Sequence, residues 1–399
     1  MKTTSVLSRA WRRIHPPLPR TPRESQQLLS ALTSSFRRQL EAADTNQPSK
    51  SADQHVRSIL ENPLFRVVPP KGPALTPQER SKRLAEEPMA LFDELVAAGA
   101  ITGRDIAECL RYQLALIGSS SSNAKEAMKT TGAGARVVSW FWASDSASRK
   151  TLFKWRPATS AALKFMAAED LHDTVMIWLR MISKLDIGGL DGQIPEKPGR
   201  QLFRVFLADF LEADLQYGRG IESALRSFLQ VAQMCSSLGD HITPETRELM
   251  LKPGAVCLSR WISDHGSDSS IKSISPDLYE RFCAVIATFP SLPFSSASVW
   301  LYHPSRPTAD PLLDYLQKRV LPAESSSKLK SQKRDHVVRV WLDALRLLLD
   351  QQRDKDAALL VPHIKRLLQQ ERQEESGEQP NKDEISVNSQ SFWRALALT

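Results

Sequence analysis

The sequence predicts an all-α protein made of stacked antiparallel helix pairs, either an α-solenoid-like array or a helical bundle. Three observations carry that expectation. Apolar residues recur at three- and four-residue steps along nearly every periodic segment. Helix starts are legible: Thr21-Pro22, Thr76-Pro77, Thr243-Pro244 and Ser275-Pro276 each place a hydroxyl at the N-cap and proline at the first helical position, with a carboxylate in the first turn. The hydroxyl accepts an orphan backbone N–H, proline has none to lose, and the carboxylate faces the positive end of the helix. Finally, no stretch shows the strict alternation of a half-buried strand. Helices with one apolar face and short turns bury that face by packing on one another.

Residues 1–20 read as a mitochondrial presequence. Lys2, Arg9, Arg12, Arg13 and Arg20 precede the first carboxylate, Glu24, among frequent Ser and Thr. Val6, Leu7, Ala10 and Trp11 share one face of a short helix, giving the cationic amphipathic segment that a membrane potential draws inward. The expected compartment is the mitochondrial matrix. From Met1 to Leu40, eight Lys/Arg stand against one Glu, so most of the net charge of +8 lies there and the body is close to neutral. The overall charge is therefore no argument for nucleic-acid binding; only local clusters are.

Region 21–118 is expected to be helical. Leu28, Leu29, Leu32, Phe36 and Leu40 form one stripe, and an extended Pro-rich linker spans 63–73. Helices are predicted from Pro88 to Ala98 and from a Thr102 cap to Ile117. Ser119-Ser120-Ser121-Ser122 opens a small-residue linker assigned to 119–135. A helical-repeat domain is assigned to 136–370. Its helices are predicted over 158–168 and 171–185, 200–216 and 221–235, then 253–265, 276–289, 307–320, 335–352 and 355–370. Residues 371–399 read as an acidic flexible tail with a short helix at 391–398.

One pair is more specific than the others. Ala161-Ala162-Leu163-Lys164-Phe165-Met166-Ala167-Ala168-Glu169-Asp170-Leu171 is followed by Thr174-Val175-Met176-Ile177-Trp178-Leu179-Arg180-Met181-Ile182 and then Asp186-Ile187. This short helix, polar turn and Met-bearing second helix resembles a degenerate pentatricopeptide/TPR-like repeat, and 200–238 resembles a looser second unit. The resemblance spans those two stretches, and spacing elsewhere is irregular. It implies an organellar role in RNA processing, translation or ribosome association. Together with the leader, the chain is similar to helical-repeat factors of fungal-type mitochondrial gene expression.

Motifs for chemistry are absent from the sequence. Gly132-Ala133-Gly134-Ala135 lacks the third glycine and the preceding strand of a dinucleotide loop, so no cofactor is expected. Cys109, Cys235, Cys257 and Cys283 are far apart, and no two of the eight histidines sit at i, i+4, so no metal is expected. No G-x-S-x-G elbow occurs. The expectation is no catalytic residues and no enzyme. No run reaches the roughly 18–20 apolar residues of a membrane span.

Two clusters are candidates for nucleic-acid contact. The first interleaves Trp140, Phe141, Trp142, Phe153 and Trp155 with Arg136, Arg149, Lys150, Lys154 and Arg156. Aromatic faces can stack bases while cations hold phosphates; the same tryptophans can instead wedge helices together. The second is Lys328, Lys330, Lys333 and Arg334 beside a serine run. The expected partner is RNA or a ribonucleoprotein, such as mRNA or the mitochondrial ribosome. The alternative is a protein-binding scaffold, for example an assembly factor for an inner-membrane respiratory complex.

Overall fold

The computed structural model describes residues 76–120, 123–189, 191–237, 243–266, 268–320 and 331–375, together with helical positions Gln26, Leu29, Ser30, Thr33 and Ser34. The presequence, most of the 21–40 stripe, the 63–73 linker and residues 376–399 lie outside the described residues. Among the described residues the protein is all-α, with no strand and a single isolated bridge between Asp186 and Gln193. No described helix is long and apolar enough to cross a membrane.

In chain order the helices are α1 (Pro77–Glu86), α2 (Pro88–Ala97), α3 (Gly103–Ser120), α4 (Ala124–Thr131), α5 (Ala133–Ala143), α6 (Ser146–Lys154), α7 (Arg156–Ala168), α8 (His172–Ser183), α9 (Glu196–Tyr217) and α10 (Ile221–Ser237). Then follow α11 (Pro244–Asp264), α12 (Ser269–Lys272), α13 (Pro276–Ala287), α14 (Pro293–Ser298) and a 3-10 turn (Val299–Tyr302). The last are α15 (Asp310–Tyr315), a π turn (Leu316–Val320), α16 (Ser331–Asp350) and α17 (Asp354–Glu375). The described residues divide into two compact units, one up to Ala124 with Arg136–Ala162, the other Lys125–Ala135 with Leu163 onward.

The first unit is organised by caps and a small core. Thr76 and Glu79 form the reciprocal capping box that starts α1, with Glu79 N–H to Thr76 Oγ1 at 3.3 Å and Thr76 N–H to Glu79 Oε2 at 3.0 Å. Thr102 and Asp105 repeat the arrangement on α3, at 3.3 and 2.9 Å. Asp105 also accepts from Arg80, whose guanidinium reaches Glu108 at 3.2 Å. Leu91, Phe92, Ile106, Leu110, Val137, Phe141 and Leu152 are almost fully buried and form the core.

The second unit is larger. Trp178 of α8 is fully buried and lies 6.3 Å from Phe206 of α9, centroid to centroid. Helix α9 packs chiefly on α11. Gly254 makes that approach possible, because a Cβ there would stand 2.9 Å from Leu211 Cδ1 and 3.3 Å from Leu207. A second cluster joins the end of this unit around Trp341, with Leu312, Leu316, Leu348 and Leu360 fully buried.

Four local expectations change. The 119–135 stretch is helical over Ala124–Thr131 rather than a linker. Alanine favours helix, Met128 and Ala133 are fully buried anchors, and the hydroxyls of Ser119, Thr130 and Thr131 bond carbonyls three residues back. Helix α11 begins at Pro244 and runs straight through Pro253, which reads in sequence as a start. An internal proline costs about 3 kcal/mol; burial of Gly254, Ala255 and Leu258 offsets it. The helix expected at 307–320 begins at Asp310 and ends in the π turn. Helix α17 continues to Glu375, past the point where the tail was assigned.

Candidate functional site

The aromatic–cationic segment lies on α5, α6 and the start of α7, within the first unit. Trp140, Phe141 and Trp142 are consecutive on a helix, so their side chains point about 100° apart. Phe141 is fully buried and Trp140 is 7% exposed, whereas Trp142 is 43% exposed. Trp140 therefore belongs to the core and does not offer its face to a base. Asp145 starts α6 by accepting the Ser148 N–H at 2.8 Å, and hydrogen bonding by the Ser148 side chain, then by that N–H, lowers its carboxyl from the ordinary value. Leu152 and Phe153 of α6 turn inward, and Phe153 meets Phe141 edge-on at 5.6 Å.

That inward face sets the outward one. Arg149 lies 5.3 Å from the centroid of Phe141 and 5.8 Å from that of Trp142. Its Nε donates to the Phe141 carbonyl at 3.0 Å and its Nη2 to the Trp142 carbonyl at 3.2 Å. The guanidinium thus closes the C-terminal end of α5 while stacking on its aromatics. Lys150 is half-buried, and Lys154 and Arg156 are exposed. Trp155, between α6 and α7, is 44% exposed. Of the two open tryptophans, Trp142 lies near the end of α5 with its ring against Arg149 of α6, and Trp155 follows the last residue of α6.

Arg136 is placed differently. It pairs with Asp93 at 2.8 Å and donates to the Met89 carbonyl at 3.3 Å, so a partner already balances its charge. Lys328 and Lys330 lie outside the described residues. Lys333 and Arg334 fall on the first turn of α16, where only the backbone is described.

The remaining chemistry is structural in character. Burial pushes the thiols of Cys109, Cys235 and Cys283 up to about 12 and that of Cys257 to about 11, which leaves them protonated and unreactive near neutrality. No group of three His, Cys, Asp or Glu among the described residues is placed to hold a metal. The Gly132–Ala135 stretch has an internal occupant: Glu169 accepts the N–H groups of Gly134 and Ala135 at 2.7 and 2.8 Å. A Cβ on Gly134 would crowd Met166 N and Glu169 Oε2 at 3.0 Å. The carboxylate fills the anion position of that helix start.

An enzyme reading of the sequence would require a histidine such as His172 or His241 beside a buried carboxylate, and the structure gives His172 such a partner. His172 Nε2 lies 2.7 Å from Asp214 Oδ1, and Ser223 Oγ is 3.5 Å from the same Nε2. A serine relay needs the carboxylate and the hydroxyl on opposite ring nitrogens; here both face one. Asp214 is fully buried and its Oδ1 also accepts the Arg219 N–H at 3.0 Å. The group ties the α9–α10 turn to α8. Its partners are distant in sequence, and no spacing signal marks them. A cleft of about 380 Å³ near Trp300 and Tyr315 is lined mostly by prolines and apolar residues, and its Asp314 pairs with Lys318 at 2.7 Å.

No protein-family model, curated protein or solved structure matches this chain.

Proposed function

We propose that this chain is a non-enzymatic helical-repeat protein of the mitochondrial matrix that supports organellar gene expression by binding RNA or a ribonucleoprotein. One observation carries the reading: Trp142 and Trp155 are exposed within one short stretch, Arg149 lies over the Trp142 ring, and Lys150, Lys154 and Arg156 fall in the same stretch of sequence. Aromatic faces stack any base, at about 1–3 kcal/mol per base, and neighbouring cations hold the backbone. The Arg-rich, carboxylate-free leader and the repeat-like pair at 161–187 supply the compartment and the family context.

The test is fluorescence anisotropy of a labelled single-stranded RNA against protein at graded NaCl. Binding should weaken with salt by a slope of about 0.7 per phosphate contacted. Lys150→Ala with Lys154→Ala should lower that slope. Absent binding, or binding indifferent to salt, rejects the reading. Partners that stay bound to tagged protein after nuclease treatment of a mitochondrial lysate favour the protein-scaffold alternative.

A further inference from the structure

We infer that the second unit contains an oxyanion site, built by Arg200 and Arg204 of α9 and Arg247 of α11, that takes a phosphate group.

The placement follows from helix register. Gly254 of α11 meets Leu207 and Leu211 of α9. Seven residues, close to two helical turns, separate Arg200 from Leu207, Arg204 from Leu211 and Arg247 from Gly254. Each arginine therefore stands on the stripe that carries the contact, two turns before it. What remains is the direction of α11. Helix α10 returns beside α9 through the turn at 217–220, and Cys235 lies as far beyond Ile221 as Phe203 lies before Tyr217. Cys235 thus stands level with Phe203 and Ser237 with Gln201; an antiparallel α11 would put Pro244 level with Arg219, about 27 Å along the axis from Ser237, farther than the seven residue steps between them span (about 25 Å). Helix α11 consequently runs parallel to α9, and Arg247 comes level with Arg200 and Arg204.

These guanidiniums are incompletely partnered. Arg200 Nη1, Arg204 Nε and Arg247 Nε are buried, and none has a hydrogen-bond partner among the described residues. Arg200 pairs through its other nitrogen with Glu196, and Arg204 Nη1 donates to Gln201 Oε1 at 2.9 Å. Glu248, beside Arg247, accepts the Ser291 N–H at 3.0 Å. Buried N–H donors are thus left over on all three arginines. A buried donor without an acceptor is costly, and such groups call for a bound water or ion. Guanidinium forks match oxyanions in pairs of parallel bonds. A phosphate presents three or four oxygens in a tetrahedron, so forks arriving from two helices can each meet one, whereas the two oxygens of a carboxylate lie in one plane. The group can come from a nucleic-acid backbone or from a free phosphate compound. The site is independent of the tryptophans of the first unit.

The test uses the full chain and inorganic phosphate, with chloride at matched ionic strength as the control. Wild type should show a saturable rise in Tm with phosphate, and calorimetry should give a Kd at least tenfold tighter than that of Arg247→Gln or Arg204→Gln. Arg247→Lys keeps the charge without the fork and should bind at intermediate strength. Arg247→Gln without phosphate should be at least as stable as wild type, since it removes a buried unmatched charge. Competition by a short single-stranded RNA assigns the backbone as the source, and competition by a nucleoside monophosphate alone assigns a free phosphate compound. No saturable shift in wild type, or an equal shift in Arg247→Gln, overturns the site.

Discussion

In the first unit Arg149 lies over two aromatic rings and gives its N–H groups to the carbonyls of Phe141 and Trp142. In the second, Arg247 is half-buried between helices and its Nε has no acceptor among the described residues. The two cations have opposite histories of desolvation. Arg149 is satisfied by its own chain, and what stays open beside it is apolar: Trp142. Arg247 is left unsatisfied by its chain, and what stays open is polar. A satisfied cation beside an exposed ring suits a flat, stackable ligand held weakly by charge. An unsatisfied guanidinium suits a compact anion held by direct bonds. The units therefore present different chemistries, although the same helical repertoire builds both.

The largest expected effect separates neighbours on α5. Phe141→Ala should cost about 3–5 kcal/mol of stability, because a fully buried ring leaves a cavity and Arg149 loses its platform. Trp142→Ala, one residue on, should cost about 0.5–1.5 kcal/mol, the edge-on contact with Phe141 and the Arg149 contact being lost without a buried cavity. It should instead weaken RNA binding by about 1–3 kcal/mol. Urea denaturation and anisotropy measured on both variants check the split. A large stability loss in Trp142→Ala would place that ring with the core and remove it from the interface.

In the second unit the corresponding break is at Asp214. Asp214→Ala removes the acceptor of both His172 Nε2 and the Arg219 N–H. It should cost about 1–3 kcal/mol in urea denaturation, the penalty of buried donors left unmatched. His172→Ala should cost less, because Asp214 keeps its bond to Arg219. The reverse order would mean that the histidine, not the carboxylate, organises the α9–α10 turn.

These contrasts also explain what the sequence made legible. Thr76-Pro77-x-Glu79 announces its helix because capping is a contact across three residues, and its bonds form as expected. The apolar periods of 158–168 and 221–235 mark the buried faces of α7 and α10 for the same local reason. Pro253 misleads because proline starts helices more often than it sits inside them, and only burial on α9 tells the cases apart. Within the tryptophan segment, composition identified the rings, but only packing decides that Trp140 turns inward and Trp142 outward. The pairing of His172 with Asp214, and the register that aligns Arg247 with Arg204, depend on helices distant in sequence, so no local pattern reports them.

The smallest effect compares two carboxylates, one in each unit. Burial alone would raise the Asp105 carboxyl, but hydrogen bonds from Thr102 and Arg80 outweigh it and hold it below its ordinary 3.8. Asp170 is also held low, chiefly by Arg219 and then by Lys129. In both cases the folded state resists protonation more than the unfolded state does. The stabilisation is therefore complete above the ordinary value and is lost as pH falls through 3.8 towards the lower folded value. Asp105→Asn and Asp170→Asn should each flatten the acid limb of stability against pH below about pH 5. Salt should distinguish them. The Asp105 side chain is 9% exposed and that of Asp170 is 34% exposed. At about 1 M ionic strength the Debye length is near 3 Å, which screens the exposed pair far more than the buried one. Acid titrations of both variants at low and high salt should show the Asp170 contribution shrinking while that of Asp105 persists. Equal salt sensitivity would mean that water reaches Asp105 as freely as Asp170, and that the first unit is held by its caps and apolar core without help from the Arg80 pair.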